Sequence, residues 1–133
     1  LTCTQLIEKQ LRTELRTQFE TTLPLFDLMA QLERAEGGLR MNELSRRMMV
    51  TGGNVTGITD QLEAEGLVER VEVQGDRRAF QVRLTAKGRR QFNAMAQAHE
   101  GWIVDAFAGL DAAEIKTLRN LLGKVKEHFQ ETA

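Results

Sequence analysis

The sequence predicts a mainly α domain (α+β) with a single β-hairpin set between its helices, and three observations carry that prediction. Apolar residues recur every three to four positions through most of the 133-residue chain. The period drops towards two only within residues 68–84. Glycine, proline and capping residues stand where one period gives way to the next.

The elements follow in order. TQLIEKQLRTELRTQFE carries Leu6, Ile7, Leu11, Leu15 and Phe19 on one helical stripe. Pro24 opens a second helix, PLFDLMAQLERA, because a first turn has no use for the missing N–H. Gly37–Gly38 close it. MNELSRRMM is a short third helix with Met41, Leu44 and Met48 on one side. A fourth spans residues 53–65, capped by the Thr51 hydroxyl, with Val55, Ile58 and Leu62 turned inward. Gly66–Leu67 supplies a left-handed stop followed by an apolar residue. VERVEVQ alternates loosely and AFQVRLT cleanly, and Gly75–Asp76 between them is turn chemistry, so the pair forms a hairpin. Thr85 caps a long fifth helix reaching about residue 108. Asp111 with Glu114 forms a capping box for the last, which carries Ile115, Leu118, Leu122, Val125 and Phe129. The order is α-α-α-α-β-β-α-α.

Composition bounds the function. With 41% apolar residues but only six Phe, one Trp and no Tyr, the core rests on aliphatic side chains and Met. Apolar runs fall far short of a membrane span, and residues 1–10 hold Glu8 and Lys9 where a signal peptide is apolar. A single cysteine, Cys3, suits a reducing compartment, so a soluble cytoplasmic protein is expected. The net charge of −1 hides a gradient. Residues 37–90 hold ten Arg/Lys against seven Asp/Glu, a net of +3, and the remaining residues hold 8 against 12, a net of −4.

The stretch TGGNVTGIT, residues 51–59, matches the phosphate-cradling template at Gly52, Gly57 and Thr59 but has Ile58 where the lysine belongs. A helix precedes it rather than a buried strand. His99 and His128 stand apart from each other and from Cys3, so neither a metal nor a cofactor is expected, and no enzyme. Two short helices joined by a tight turn explain the glycines better. The second presents Gly53, Gly57, Asp60 and Gln61 outward, flanked by Asn54 and Thr56, and a small polar face of this kind fits the major groove. With Arg77 and Arg78 at the tip of the hairpin behind it, the arrangement is a winged helix-turn-helix with a two-stranded β-wing.

MNELSRRMMVTGGNVTGITDQLEAEGLVERVEVQGDRRAFQVRLTAKGRR resembles the winged helix of the MarR family of bacterial transcriptional regulators. ELSRRM, NVTGITDQLEAEGLVER and DRRAFQVRLTAKG carry most of the likeness, which extends over nearly the whole chain. It implies a single domain over residues 1–133, with a DNA-binding lobe at 38–88 and N- and C-terminal dimerisation helices at 1–22 and 89–133. It also implies a homodimer on a palindromic, double-stranded operator, usually a repressor released by a small ligand.

Site expectations follow. By the resemblance Arg78 enters the minor groove, Arg77 meets phosphate or shares that task, and Asp76 fixes both through an ion pair. Arg46 and Arg47 lie opposite Leu44 and Met48, and at least one of them is expected to meet phosphate. Asn54, Thr56 and Gln61 are the base-edge candidates, beside Thr51 at the helix start. The chain departs from the family where many members carry arginine, at Gly52, Gly57 or Gln61. A reading helix without Lys or Arg leaves open a second class, a module that binds protein rather than DNA. Leu6, Ile7 and Leu11 with Leu118, Leu121, Leu122, Val125 and Phe129 form the expected dimer contact. Phe26, Met29, Met95, His99 and Trp102 are candidate walls for an effector, which the resemblance suggests is an aromatic carboxylate or an aryl-CoA thioester, with Arg12, Arg16 or Arg40 as anion contacts. Cys3 raises peroxide sensing as an alternative, although the tyrosines that hold such a thiolate are missing.

Overall fold

The structure, a computed structural model, describes residues 1–48, 54–73 and 75–132, with the side chains of residues 76–79 and 132 outside that description. The elements are α1 (Cys3–Phe19), α2 (Leu23–Glu33), β1 (Leu39–Arg40), α3 (Met41–Arg47), α4 (Val55–Ala64), β2 (Val68–Val73), β3 (Asp76–Leu84), α5 (Ala86–Ala106) and α6 (Ala112–Thr132). The chain divides into two compact units, Leu1–His99 and Glu100–Ala133.

In the first unit α2 is the central helix. Eight of its 11 residues are buried, and Leu28, Met29 and Leu32 are fully enclosed. Thr22 caps it by accepting from the Leu25 N–H, and Pro24 sits in the first turn. Leu15 of α1, Leu44 of α3, Leu62 of α4, Val68, Val82 and Met95 complete the core. This is the aliphatic and Met core that the composition predicts.

The sheet has three strands rather than the two of the predicted wing, in the order β1-β3-β2, all antiparallel. Leu39 pairs with Val82 and Arg40 with Gln81. Two residues carry no period, which hides β1 from any sequence pattern, yet it leads straight into α3. β2 and β3 pair from Val68↔Leu84 to Glu72↔Phe80, after which the register shifts and Val73 meets Asp76. β3 therefore starts ahead of the alternating run that foretold it.

The start of α4 is a second correction. The helix begins at Val55, not residue 53, and Asn54 is its N-cap, its Oδ1 accepting from the Thr56 N–H at 3.0 Å. Asparagine caps at least as well as threonine, because its short amide carbonyl reaches the first free N–H groups. Thr51, with Gly52 and Gly53, lies outside the described residues.

The end of α4 is as foretold. Gly66 has φ +75°, the Leu67 N–H donates to the Leu62 carbonyl at 2.9 Å, and the Gly66 N–H donates to Glu63 at 3.0 Å. These are the two bonds of a Schellman stop, for which a left-handed glycine is the natural residue. Thr85 caps α5, accepting from the Gly88 N–H while its own hydroxyl donates to the Gly66 carbonyl. Gly88 lies so close to the stop that a Cβ there would fall 1.9 Å from the Leu67 carbonyl oxygen.

The second unit contains the end of α5 and α6. The Asp111–Glu114 capping box forms as read, with Glu114 Oε1 accepting from the Asp111 N–H and Asp111 Oδ1 from the Glu114 N–H. Among the described residues α6 has none buried. Its 21 residues are amphipathic, with Leu121, Leu122, Val125 and Phe129 in solvent. Among the described residues no helix is long and apolar enough to cross a membrane.

Candidate nucleic-acid interface and effector cavity

α3 and α4 are adjacent helices with opposed faces. Leu44 of α3 and Ile58, Thr59 and Leu62 of α4 point into the core. The buried Thr59 hydroxyl is satisfied by the Val55 carbonyl at 2.7 Å. Outward on α4 stand Asn54, Thr56, Gly57, Asp60 and Gln61, all exposed. Arg46 and Arg47 are exposed in the last turn of α3, where the negative end of the helix dipole favours cations. Asp76, Arg77 and Arg78 belong to the backbone of β3 at the hairpin tip, and their side chains lie outside the described residues.

Arg70 of β2 joins the hairpin to α4, and sequence reasoning missed it. Its guanidinium pairs with Asp60 and, at 3.2 Å, with Glu63, and it stands over the Phe80 ring at 5.3 Å. Thus the two carboxylates of α4 are each held by one arginine from the sheet. A neighbouring pair, Arg83 with Glu69 at 2.6 Å, spans directly opposite positions of β2 and β3. The partners of Arg70 lie seven and ten residues before it. No helical or strand spacing connects them, so no sequence signal marks the latch.

A cavity of about 640 Å³ opens in the first unit, lined by α1, α2 and His99 of α5. Its apolar wall includes Ile7, Leu11, Leu23, Phe26 and Ala30. The Phe26 ring stacks on Phe92 at 5.4 Å and lies 5.0 Å from His99. Burial holds the His99 imidazole below its ordinary value of 6.5. Of the five predicted effector walls, Phe26 and His99 meet here. Met29 and Met95 are core residues that border a separate crevice of about 230 Å³, and Trp102 is a buried residue of the second unit. Arg12, Arg16 and Arg40 do not line the cavity; Arg34 does, with Asp27, Gln31 and Glu8. Positions 27, 31 and 34 mark one side of α2, a polar spacing in a buried helix that would have pointed to the cavity.

Leu6, Leu121, Leu122, Val125 and Phe129 are exposed, Phe129 to 68%, while Ile7, Leu11 and Leu118 are half-buried. Cys3, the first residue of α1, is an exposed free thiol. Among the described residues no three His, Cys, Asp or Glu side chains are grouped to hold a metal ion.

A MarR family model matches residues 21–79, from α2 through the hairpin tip. Over that span the chain is similar to the MarR family. Its relatives include the HTH-type transcriptional regulator PecS of Dickeya dadantii, 29% identical over 78% of this chain and 64% of PecS. YkoM of Bacillus subtilis, also an HTH-type transcriptional regulator, is 31% identical over 75% of this chain and 65% of its own length. The chain thus spans just under two thirds of these curated relatives. The fold superposes on MarR of Escherichia coli with a TM-score of 0.81 at 27% identity, covering 92% of this chain and 90% of that one. A cysteine-to-serine variant of that MarR, solved with operator DNA, gives a TM-score of 0.76. The family and these relatives are transcription regulators, not enzymes. Mainly helical with a small antiparallel sheet, the chain has the winged-helix architecture its sequence predicts, matching the solved MarR structures.

Proposed function

We propose that the protein is a homodimeric transcriptional repressor that binds a palindromic operator and releases it when a small aromatic effector fills the cavity lined by α1 and α2. One observation carries the DNA-binding part. α3 and α4 stand side by side, α4 offers an outer face of Asn54, Thr56, Gly57 and Gln61, and a hairpin bearing Arg77 and Arg78 follows. The solved complex of the E. coli relative with operator DNA supports the same use of this architecture. In this reading α4 enters the major groove, where amide and methyl groups read base edges. Arg78 reaches the minor groove, with Arg77, Arg46 and Arg47 on phosphates and Asp76 steadying the arginines. The Asp60–Arg70–Glu63 latch matters because it offsets the only acidic groups on the reading helix.

The exposed apolar stripe of α6 supports association of two copies, since a face of this extent rarely stays in water, and in the first unit Leu6 of α1 is exposed as well. Two reading helices related by a two-fold axis then address grooves about one helical turn, roughly 34–36 Å, apart. Ile7 and Leu11 serve both the cavity wall and the dimer face, so a ligand touching them acts on the spacing of the readers.

The test is a fluorescence-anisotropy titration of a palindromic operator at several salt concentrations. Specific binding should weaken steeply with salt, and Arg78→Ala should weaken it about tenfold or more while lowering the salt slope by roughly one. Binding that ignores both salt and the Arg78 substitution would reject the assignment in favour of a protein-binding module.

A further inference from the structure

We propose that Arg70 is a positioning residue for DNA: its grip on Asp60 and Glu63 sets the angle of the hairpin against α4, so that α4 and Arg78 reach neighbouring grooves together. This rests on the reading of α4 and the hairpin as a DNA reader, and it goes beyond the offset of charge on α4.

The hairpin needs such a tie because its buried anchors end early. Residues 68, 70 and 72 of β2 share one face with residues 80, 82 and 84 of β3. Val68, Val82 and Leu84 are buried there, whereas Phe80, in the last regular pair before the register shift, is half-buried. Arg78 lies four residues from Val82, about 13 Å of extended chain. A swing of about 20° at Val82 moves the strand at Arg78 by about 4.5 Å, most of the width of a minor groove about 6 Å across.

Arg70 stands where that swing must be stopped. It pairs opposite Val82, and its guanidinium holds Asp60 and, at 3.2 Å, Glu63 while covering the Phe80 ring at 5.3 Å. Asp60 and Glu63 are three residues apart on one face of α4, so two nitrogens of one rigid fork engage two points of the helix. A single contact leaves a strand free to turn about it. Two contacts and a ring do not. Among the described residues these are the polar side-chain links between α4 and the hairpin. The three charged side chains are between 30% and 58% exposed, so the latch adds little to folding. Its effect lies in where it holds the strand.

The experiment is an anisotropy titration with a palindromic duplex that the parent protein selects from a random-sequence library, and with a scrambled duplex of the same length. The quantity read is the weakening caused by Arg78→Ala, about tenfold or more in the parent. With Asp60→Ala and Glu63→Ala combined, the latch is gone while Arg70 keeps its charge, and Arg78→Ala should then weaken binding about twofold or less. On electrostatic grounds alone, removing two carboxylates from the reading helix strengthens binding and leaves the Arg78 effect whole, so the two accounts diverge. Arg70→Lys keeps the charge but loses the fork, and should also shrink the Arg78 effect to about twofold. Glu69→Ala breaks the neighbouring pair with Arg83 on the other face of the sheet and should leave the effect at about tenfold. Circular dichroism checks that each variant folds. A full Arg78 effect in either latch variant, or none in the parent, would overturn the proposal, while specific, salt-dependent binding by the parent still upholds the regulator reading. A parent that prefers its selected duplex no more than the scrambled one defeats that reading and the proposal with it.

Discussion

Gly88→Ala tests the joint between the reading helix and α5. The added Cβ would sit 1.9 Å from the Leu67 carbonyl oxygen and 2.8 Å from the carbonyl carbon, where ordinary contacts begin near 3.4 Å. The obstacle is backbone rather than the end of a flexible side chain, so α5 and the α4–β2 connection must separate by about 1.5 Å. That separation strains three bonds: Thr85 N–H to Leu67 O at 3.0 Å, Thr85 Oγ1 to Gly66 O at 2.7 Å, and Lys87 Nζ to Glu65 O at 3.1 Å. Overpacking of about 2 kcal/mol and three bonds of about 1 kcal/mol each, less about 1 kcal/mol for the better helix former, leave a loss of about 4 kcal/mol. For a domain of ordinary stability that is a large share of the total. Urea unfolding followed by circular dichroism, at fixed protein concentration, measures it. Gly57→Ala is the control, since its Cβ would meet only the Asn54 side chain at 3.8 Å and should stabilise by about 1 kcal/mol. A Gly88 variant within about 1 kcal/mol of the parent would refute the packing argument.

Further outcomes follow from the same geometry. Gly57→Ala, though stabilising, should weaken operator binding in anisotropy titrations, because the methyl projects from the face proposed to enter the groove. Asn54→Ala removes the α4 cap, should cost about 1 kcal/mol in urea unfolding, and should relax sequence choice more than it lowers non-specific affinity. Arg70→Ala should cost about 1 kcal/mol or less of stability, as exposed ion pairs do, yet weaken operator binding about tenfold by leaving two carboxylates unmatched on α4. For His99 the sign is set by its lowered folded value: the unfolded chain binds the proton more readily, so stability is full above pH 6.5 and declines as pH falls below it. The slope should stay below about 1.4 kcal/mol per pH unit, the limit for one proton, and His99→Gln should remove it from melting curves between pH 5 and 7.5.

What could be read from the chain was local. The Schellman stop at Gly66–Leu67, the Thr85 cap and the Asp111–Glu114 box each depend on residues within a few positions, and each forms as expected. The hairpin was legible through Phe80, Val82 and Leu84, whose side of the strand faces the core around the buried Val82 and Leu84. Features made by residues distant in sequence were not. β1 exists only because Leu39 and Arg40 meet Val82 and Gln81. Arg70 reads as one more charge in a strand until the fold brings α4 beside it. Asp27 interrupts an apolar helix, but only the packing of α1 against α2 turns that interruption into the wall of a cavity. The α4 boundary moved because Asn54 and Thr51 both suit a cap, and sequence alone does not rank two good candidates so close together.

The shortest strand has the widest mechanical consequence. β1 passes directly into α3, is hydrogen-bonded to β3, and through β3 reaches β2, which follows α4 after a single tight stop. Reader and hairpin thereby form a closed loop of covalent and hydrogen-bonded links, so neither can pivot without dragging the other. A signal arriving from elsewhere in the molecule meets a solid tool rather than a hinge, and can only re-aim it whole. In amide hydrogen exchange such a ring should open as one unit, the protons of β3 and those of α4 surrendering together.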